Sequence, residues 1–407
     1  MKLDTRQQAI IQAIDAAAEA ILSISHQIHS RPELGYQEIF AAGLLANSLE
    51  AHGFQVERGF GEIPTAFCAR KGSGQGPRVA FLAEYDALPE LGHACGHNVI
   101  ATSALAAGIG LGAVISELDG EIWVMGTPAE ETDGAKVVLL ERGTFNSLDA
   151  ALMIHPYSGN YYLTESLAMD ALEITFYGKS AHAAASPWEG KNALDAILLT
   201  FNNVNALRQQ IRPDARIHGV ITNGGTAPNI IPDRTVGRFY LRANTRSYVN
   251  ELVGKFKACV QGAATATGTR FEIKNYENSF DDMVNNVVLA ERTRDYFVKA
   301  LDSQQFQRAP ESFGSADMGN VSHFVPAVHI LVDVTNGKTL SLHTPEFQSA
   351  VVTPYADAAL LRSGKAMALT GYDVLTKKDF LEAARAEFTA SLGYPPGGKR
   401  TTPNLVE

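Results

Sequence analysis

Apolar strand segments alternate with helical segments in the first part of the chain, and this alternation limits the fold more than any other feature. The predicted strands 78–87, 121–131 and 150–156 are separated by the predicted helices 99–115 and 133–142. Strands that alternate with helices build a mainly parallel sheet that the helices cover. We therefore predict an α/β domain with a mixed, mainly parallel sheet and helices on both of its faces.

A different pattern begins after about Leu167 and ends near Asn285. It reads as strand, helix, two strands joined by a turn, helix and strand. Such a β-α-β-β-α-β unit can fold as a separate four-stranded α+β domain of the ferredoxin-like type. Because the first pattern then resumes, we predict a large domain of residues 1–167 and 286–407, with a small domain of residues 168–285 inserted into it.

Length and charge exclude some classes of protein. A chain of 407 residues is long enough for two domains. Its formal net charge is −10 and it has no long basic run, so nucleic acid is not an expected partner. The uncharged run from Val99 to Ser116 contains several Gly, Ser and Thr residues. We expect it to be a buried helix of the α/β core, not a membrane span.

Two further features indicate the compartment. The N-terminal segment 1–10 has no basic stretch followed by an apolar one, so we do not expect a signal peptide. Three cysteines, Cys68, Cys95 and Cys259, cannot all pair with one another. That number fits a protein of the reducing cytoplasm without a disulfide framework.

Side chains of the types that bind metals or protons occur a few residues after one of the predicted strands. His93, Cys95 and His97 lie within five residues, shortly after a strand that ends in Asp86. Thiolate and imidazole form a good donor set for zinc, and Asp86 could accept the second ring N–H of a ligand histidine. A reactive thiol with a histidine base and an ordinary polar loop are the alternatives that these residues leave open.

Two adjacent carboxylates, Glu130 and Glu131, end the next strand, and His155 lies in the one after that. Sites in such sheets collect at the carboxyl ends of the strands. Neighbouring side chains diverge, so one carboxylate could hold a metal while the other takes a proton from water, as a hydrolase requires. Solvated loop charges are the alternative interpretation.

Together these segments resemble the family of aminoacylases, glutamate carboxypeptidases and dipeptidases that use two co-catalytic metal ions. The chain is most similar to the branch with hippurate hydrolase, auxin-conjugate hydrolases, p-aminobenzoyl-glutamate hydrolase and the β-alanyl-lysine (Xaa-Arg) dipeptidase. The resemblance covers nearly the whole chain, in the expected order, through HSRPELGYQE (29–38), EYDALPELGHACGHN (84–98), GTPAEE (126–131), HP (155–156), GKSAHAAASPWEGKNALDA (178–196), APNIIP (227–232) and LHTPEF (342–347).

The resemblance implies a site for two divalent metal ions, with zinc as the expected ion and manganese or cobalt as alternatives. It implies that Cys95 bridges the two ions. His97 and His155 would complete the ligands of one ion, and Glu131 and His343 would complete those of the other. His93 has no ligand role in this scheme.

The resemblance also assigns roles around the metals. Glu130 would be the general base and then the general acid, and Asp86 would support a ligand histidine. His182 would polarise the reacting carbonyl, Asn229 would contact the substrate, and Arg242 would grip a free carboxylate. Without the resemblance, His182 could equally be a turn histidine and Arg242 a surface salt-bridge residue.

Two positions depart from the pattern of many relatives, which have Asp where this chain has Glu84 and Asn98. These departures leave the implied ligand set intact, but they leave the acyl group and the amino acid of the substrate open.

The expected protein is thus a cytoplasmic, metal-dependent amidohydrolase or peptidase without a membrane or nucleic-acid partner. It would cleave an N-acyl amino acid or dipeptide with a free carboxylate, through metal-activated water. The inserted domain would serve as a lid and as the contact of a homodimer, with His182 acting in its own chain or across the dimer.

Two other functions remain open. A metal-free cysteine amidase would use Cys95 as nucleophile, but it gives no task to Glu130, Glu131, His155 and His343. A non-catalytic metal-binding protein on the same fold should have lost its base, and Glu130 is present.

Overall fold

The two sequence patterns form two separate sheets in the computed structural model, which describes residues 1–309, 314–393 and 396. The chain divides into two compact units. The first contains Met1–Glu165 together with the described residues 283–309, 317–393 and 396. The second contains Ser166–Asp282 and Gly314–Ala316.

Helices and strands follow one another closely in the described residues. The helices are α1 (Thr5–Ser30), α2 (Ile39–Ala51), α3 (His97–Gly112), α4 (Ala135–Glu141), α5 (Ala193–Leu207), α6 (Arg246–Thr267), α7 (Val287–Ala300), α8 (Met318–Ser322), α9 (Pro345–Ala350), α10 (Pro354–Thr376) and α11 (Lys378–Leu392). The strands are β1 (Gln55–Arg58), β2 (Phe67–Gly72), β3 (Arg78–Ala83), β4 (Glu121–Gly126), β5 (Ala150–Tyr157), β6 (Tyr161–Leu163), β7 (Ala168–Tyr177), β8 (Arg216–Asn223), β9 (Arg234–Ala243), β10 (Arg270–Asn275), β11 (Gln307–Arg308) and β12 (Ala327–Asp333).

The sheet of the first unit is mixed, and its centre is parallel. Within the described part of the chain it has eight strands in the order β1-β2-β4-β3-β5-β12-β6-β11. The neighbours β4, β3, β5 and β12 run parallel, whereas β1, β2 and β4 pair antiparallel and β6 pairs antiparallel with β12. The predicted mixed, mainly parallel sheet is therefore confirmed.

Helices cover both faces of this sheet, because alternate residues of its strands enter two different cores. Val79 and Phe81 of β3 pack in a core with residues of α1, α3 and α10. Their neighbours Ala80 and Leu82 pack in a second core with residues of α4 and α8. A strand buried on both faces must be apolar at every position, and this explains why the sequence of β3 shows no alternation of apolar and polar residues.

The sheet of the second unit has the strand order β10-β7-β9-β8, and every neighbouring pair is antiparallel. One face of β7 and β9 packs on α5 and α6, through side chains such as Leu172, Phe239 and Phe256. This is the predicted four-stranded ferredoxin-like arrangement, and the structure confirms it.

Two apolar helices have different surroundings. Every residue of α3 is buried, as expected for the uncharged run that follows Val99. Among the described residues, α1 is the helix with the length and composition that could cross a membrane. One side of α1 carries buried isoleucines that belong to the core of the first unit, among them Ile10, Ile14 and Ile21.

We expect Gly364→Ala to lower the free energy of unfolding by about 1–3 kcal/mol, because a tightly packed core must shift to admit the new methyl group. Gly364 lies where α10 meets α3, and a Cβ atom there would lie 2.5 Å from the Cβ atom of Ala106. Urea unfolding of the two proteins measures the difference.

Gly43→Ala in α2 is the matched control, because no described atom outside its chain neighbours and the adjacent backbone of its own helix lies within 4 Å of its Cβ position. It should raise the free energy of unfolding by roughly 0.5–1 kcal/mol, since glycine inside a helix loses more chain entropy on folding than alanine does. Equal stabilities of the two variants would contradict the close packing of α3 against α10.

Candidate metal centre

A single buried carboxylate connects two loops at the carboxyl edge of the large sheet. Asp86 lies in the loop after β3 and is 1% exposed. Its Oδ1 lies 2.9 Å from Nδ1 of His97, the first residue of α3. Its Oδ2 accepts a hydrogen bond of 2.9 Å from the backbone N–H of Glu131, in the loop after β4. Asp86 therefore fixes the ring of His97 and leaves Nε2 of that ring as the available donor atom.

The sequence-predicted metal ligands lie together in two groups that share Cys95. In the first group, one donor atom each of Cys95, His97 and His155 lies within 4.8 Å of the other two. In the second group, the same holds for Cys95, Glu131 and His343. These are the two ligand sets that the family resemblance implied for the two ions.

The donor atoms have the orientation that a cation needs. His155 directs Nδ1 to the carbonyl oxygen of Pro156 at 2.7 Å, while its Nε2 lies 3.4 Å from Cys95 Sγ. Within the described residues, His97 Nε2 and Glu131 Oε1 are buried without a hydrogen-bond partner. His343 Nε2 lies 3.1 Å from Glu131 Oε1, but without hydrogen-bond geometry. Buried polar atoms need partners, and this set of sulfur, nitrogen and oxygen atoms fits divalent ions such as zinc.

Burial sets the protonation of these groups. It lowers the pKa of His155 to about 4, so this ring is neutral and can donate a lone pair. Burial, together with the negative charge of Glu131, raises the pKa of the Cys95 thiol well above its ordinary value. A divalent cation beside the sulfur would favour the thiolate. Without a cation, Cys95 is a weak nucleophile, because the thiolate is the reactive form.

Glu130 lies beside the donor atoms but differs from Glu131 in its surroundings. Burial raises its pKa well above the ordinary value, and the charges of Glu131 and Glu84 add to the effect. A donor atom of Glu130 lies within 4.8 Å of His97 and Glu131 donor atoms. Without a cation this pKa favours the protonated acid, and divalent ions bound beside Glu130 would favour the carboxylate that a general base requires.

The turn before Glu130 depends on a residue to which sequence reasoning gave no role. Ala129 adopts a left-handed backbone with φ of 59°, which is uncommon for a residue other than glycine. Its N–H donates a hydrogen bond of 2.8 Å to Glu38 Oε1, and Glu38 is fully buried. The only sequence signal was that Glu38 ends one of the family-like segments.

The two departures from the family pattern lie in different surroundings. Asn98 donates a hydrogen bond of 3.0 Å to Ser25 Oγ of α1, so its side chain is used in helix packing. Glu84 forms a buried ion pair of 2.6 Å with Lys136, another residue that sequence reasoning missed. His93 belongs to neither of the two groups that share Cys95, and it stacks on His29 with 6.2 Å between ring centroids.

The remaining predicted site residues lie in the second unit. His182 Nδ1 accepts hydrogen bonds from the backbone N–H groups of Ala184 and Ala185, at 3.2 and 3.1 Å, so the neutral ring carries its proton on Nε2. The backbone oxygen of Asn229 accepts from the N–H of Ala183 at 3.0 Å. The structure thus brings the loops of His182 and Asn229 together.

Arg242 projects from β9, with its guanidinium 5.3 Å from the centroid of the Tyr240 ring. Its Nε is buried and has no hydrogen-bond partner in the described part of the chain. Burial lowers the pKa of this guanidinium, although it stays charged. Stacking holds the group in place and leaves N–H donors for a ligand.

Known proteins are similar to this chain in sequence and in fold. Residues 168–307 match a family model described as a peptidase dimerisation domain. The Xaa-Arg dipeptidase of Mus musculus is 38% identical over 409 residues, which cover 96% of this chain and 94% of that relative. The chain belongs to the M20 peptidase family. The predicted family is confirmed, and the M20 peptidase is a hydrolase of the dipeptidase and aminoacylase class.

A further sequence relative and a solved structure are also similar to this M20 peptidase. One component of the p-aminobenzoyl-glutamate hydrolase from Escherichia coli K12 is 35% identical over 286 residues, which cover 65% of this chain and 59% of that relative. Among solved structures, a dinuclear metal binding peptidase of Bacillus subtilis superposes with a TM-score of 0.66 at 21% identity, over 88% of this chain and 99% of that one. At this identity the superposition shows the shared fold.

We expect Asp86→Asn to destabilise the metal-free protein at pH 7 by roughly 1–3 kcal/mol, because an amide cannot satisfy both N–H groups as an acceptor. Burial acts to raise the pKa of Asp86, but the charge and hydrogen bond of His97 outweigh it and the pKa is lowered. A lowered carboxyl pKa stabilises the fold above about pH 4 and loses that effect as the pH falls through the folded-state value.

The difference between Asp86→Asn and the parent protein should therefore shrink in acid. Urea unfolding of chelator-treated proteins at pH 7 and near pH 3.5 measures it. Asp15→Asn is the control, since Asp15 is 53% exposed beside Lys365 and should change stability little. Wild-type stability of Asp86→Asn at pH 7 would show that Asp86 does not organise this edge of the sheet.

Proposed function

We propose that this M20 peptidase hydrolyses the amide bond of an N-acyl amino acid or dipeptide that carries a free carboxylate, with two divalent ions as cofactors. The observation that carries the proposal is the pair of donor groups that share Cys95, with Glu130 beside them. Similar proteins named as a dipeptidase and as a p-aminobenzoyl-glutamate hydrolase support this class of substrate.

In this proposal, Cys95, His97 and His155 would hold one ion, and Cys95, Glu131 and His343 would hold the other. Zinc is the expected ion because its common ligands are thiolate, imidazole and carboxylate, and manganese or cobalt could replace it. When bound, the ions supply Lewis acidity, which polarises the scissile carbonyl and makes water more acidic.

The chain's own residues carry the proton transfers and hold the substrate. Glu130 takes a proton from the attacking water and later gives it to the leaving nitrogen, and cations bound beside it would keep its carboxylate ionised before the first transfer. His182 donates its Nε2–H to the developing oxyanion. Arg242 binds the free carboxylate through two parallel N–H donors, and Asn229 adds a polar contact.

We further propose a homodimer formed through the second unit. The description of the matching family model supports it, as does the edge strand β8. Large apolar side chains of the second unit are exposed, with Val220 of this strand at 61%, and Ile230 and Trp188 of its loops at 43% and 77%. Exposed apolar patches beside an unpaired edge favour association with another chain. The three free cysteines support a cytoplasmic location.

Replacement of Glu130 by Gln tests the proposed reaction. Metal content should stay near that of the wild type, whereas turnover of N-acyl amino acids and dipeptides should fall roughly 100- to 10,000-fold, because a positioned base contributes that much. Glu131→Ala should instead lose bound metal together with activity. Metal analysis and steady-state kinetics measure both properties. If the two variants behave alike, or if Glu130→Gln stays active, the division of roles is wrong.

Arg242→Ala should weaken kcat/KM for substrates with a free carboxylate by roughly 10- to 100-fold, since it removes charge-assisted hydrogen bonds. The corresponding substrate amides should be affected much less, and metal content should not change. Arg238→Ala is the matched control, because Arg238 lies on the same face of β9 but pairs with Glu173 at 2.8 Å. Equal losses on acid and amide substrates would show that Arg242 is not the carboxylate anchor.

A further inference from the structure

A buried lysine lies between two carboxylates next to the donor groups. Lys136 in α4 is fully buried, and its Nζ lies 2.6 Å from Glu84 Oε1 and 2.7 Å from Asp317 Oδ1. The backbone N–H of Lys136 donates to the second oxygen of Asp317 at 3.1 Å. Both oxygens of Asp317 therefore accept hydrogen bonds from Lys136, whereas only Oε1 of Glu84 does so.

The other oxygen of Glu84 faces the metal-binding histidine. Glu84 Oε2 lies 3.7 Å from His97 Nε2, and both side chains are buried, at 1% and 0% exposure. This separation is too long for a hydrogen bond. Two donor atoms that bind one zinc ion in a tetrahedral arrangement lie roughly 3.5 Å apart, since each is about 2.0–2.2 Å from the metal. The spacing of this pair fits two ligands of a shared ion. Because Glu84 lies outside the groups of three donor atoms, its carboxylate would have to move toward the other ligands when the ion binds.

The balance of charge around Lys136 also favours a cation beside Glu84. Lys136 supplies one positive charge to two fully buried carboxylates, Glu84 and Asp317. A buried charge without compensation is costly. A cation at Glu84 Oε2 would supply the second positive charge.

We propose that Glu84 is a sixth metal-binding side chain, which shares with His97 one of the two ions of the proposed function, and that Lys136 is the positioning residue that directs it. The proposal rests on the proposed dinuclear centre. It extends that centre from the five family-like ligands to a carboxylate of the loop that also carries Asp86.

Glu84→Gln separates this role from a structural one. Glutamine has nearly the same shape and still offers Lys136 an oxygen acceptor, while Lys136 keeps Asp317 as its ion-pair partner. What the substitution removes is the negative charge directed at His97. Asp317→Asn is the matched control, because it takes a carboxylate from the same lysine on the side where no donor group has been identified.

Zinc affinity, measured by competition with a chelator, is the readout, together with the melting temperature of the metal-free proteins. Glu84→Gln should bind one of the two zinc ions roughly 10- to 100-fold more weakly, the usual effect of losing a supporting group at a metal site. Asp317→Asn should bind zinc like the wild type. Wild-type zinc affinity of Glu84→Gln, or equal losses in both variants, would overturn the proposal.

A crystal structure of the zinc-loaded wild type gives a test that does not depend on the folding of any variant. Glu84 Oε2 should lie about 2.0–2.2 Å from a zinc ion. An ion bound by Cys95 and His97 with Glu84 beyond 3 Å would overturn this proposal and leave the proposed function standing. A wild-type protein that binds no zinc, manganese or cobalt would overturn both.

Discussion

The buried carboxylate of Asp86 organises the edge of the sheet where the candidate metal-binding side chains lie. β3 and β4 run parallel, with Ala83 opposite Gly126, so the loops that follow them leave the sheet side by side. Asp86 uses one oxygen for the ring of His97 and the other for the backbone of Glu131. The proposed ligands His97 and Glu131, from two separate segments, are thus both positioned by Asp86. A shift of Asp86 would move both of them.

Much of this arrangement follows from local sequence. The parallel sheet follows from apolar strands that alternate with helices, and the ferredoxin-like unit follows from its order of strands and helices. Local sequence indicated candidate metal-binding side chains because Cys95, His97, Glu131 and His155 lie close to strand ends, whereas the full ligand set with His343 was implied by the family resemblance. At such places, topology alone brings side chains together.

Contacts between distant segments were not predictable from one sequence. Lys136 meets Glu84 and Asp317 across 52 and 181 residues of chain, and Glu38 meets Ala129 across 91. A lysine in the first turn of a short helix usually lies at the surface, and periodicity does not indicate which carboxylates surround it. Buried polar networks of this kind depend on the packing of several elements at once, which no local pattern encodes.

The left-handed turn at Ala129 has a consequence for how the adjacent carboxylate behaves. Glycine would adopt this backbone without strain, but it would also sample many other conformations. Alanine restricts the unfolded and open states, and the bond to Glu38 keeps it in a geometry that it would otherwise leave. Glu130 therefore starts from a stiff support, so a substrate would not have to spend binding energy on ordering this loop.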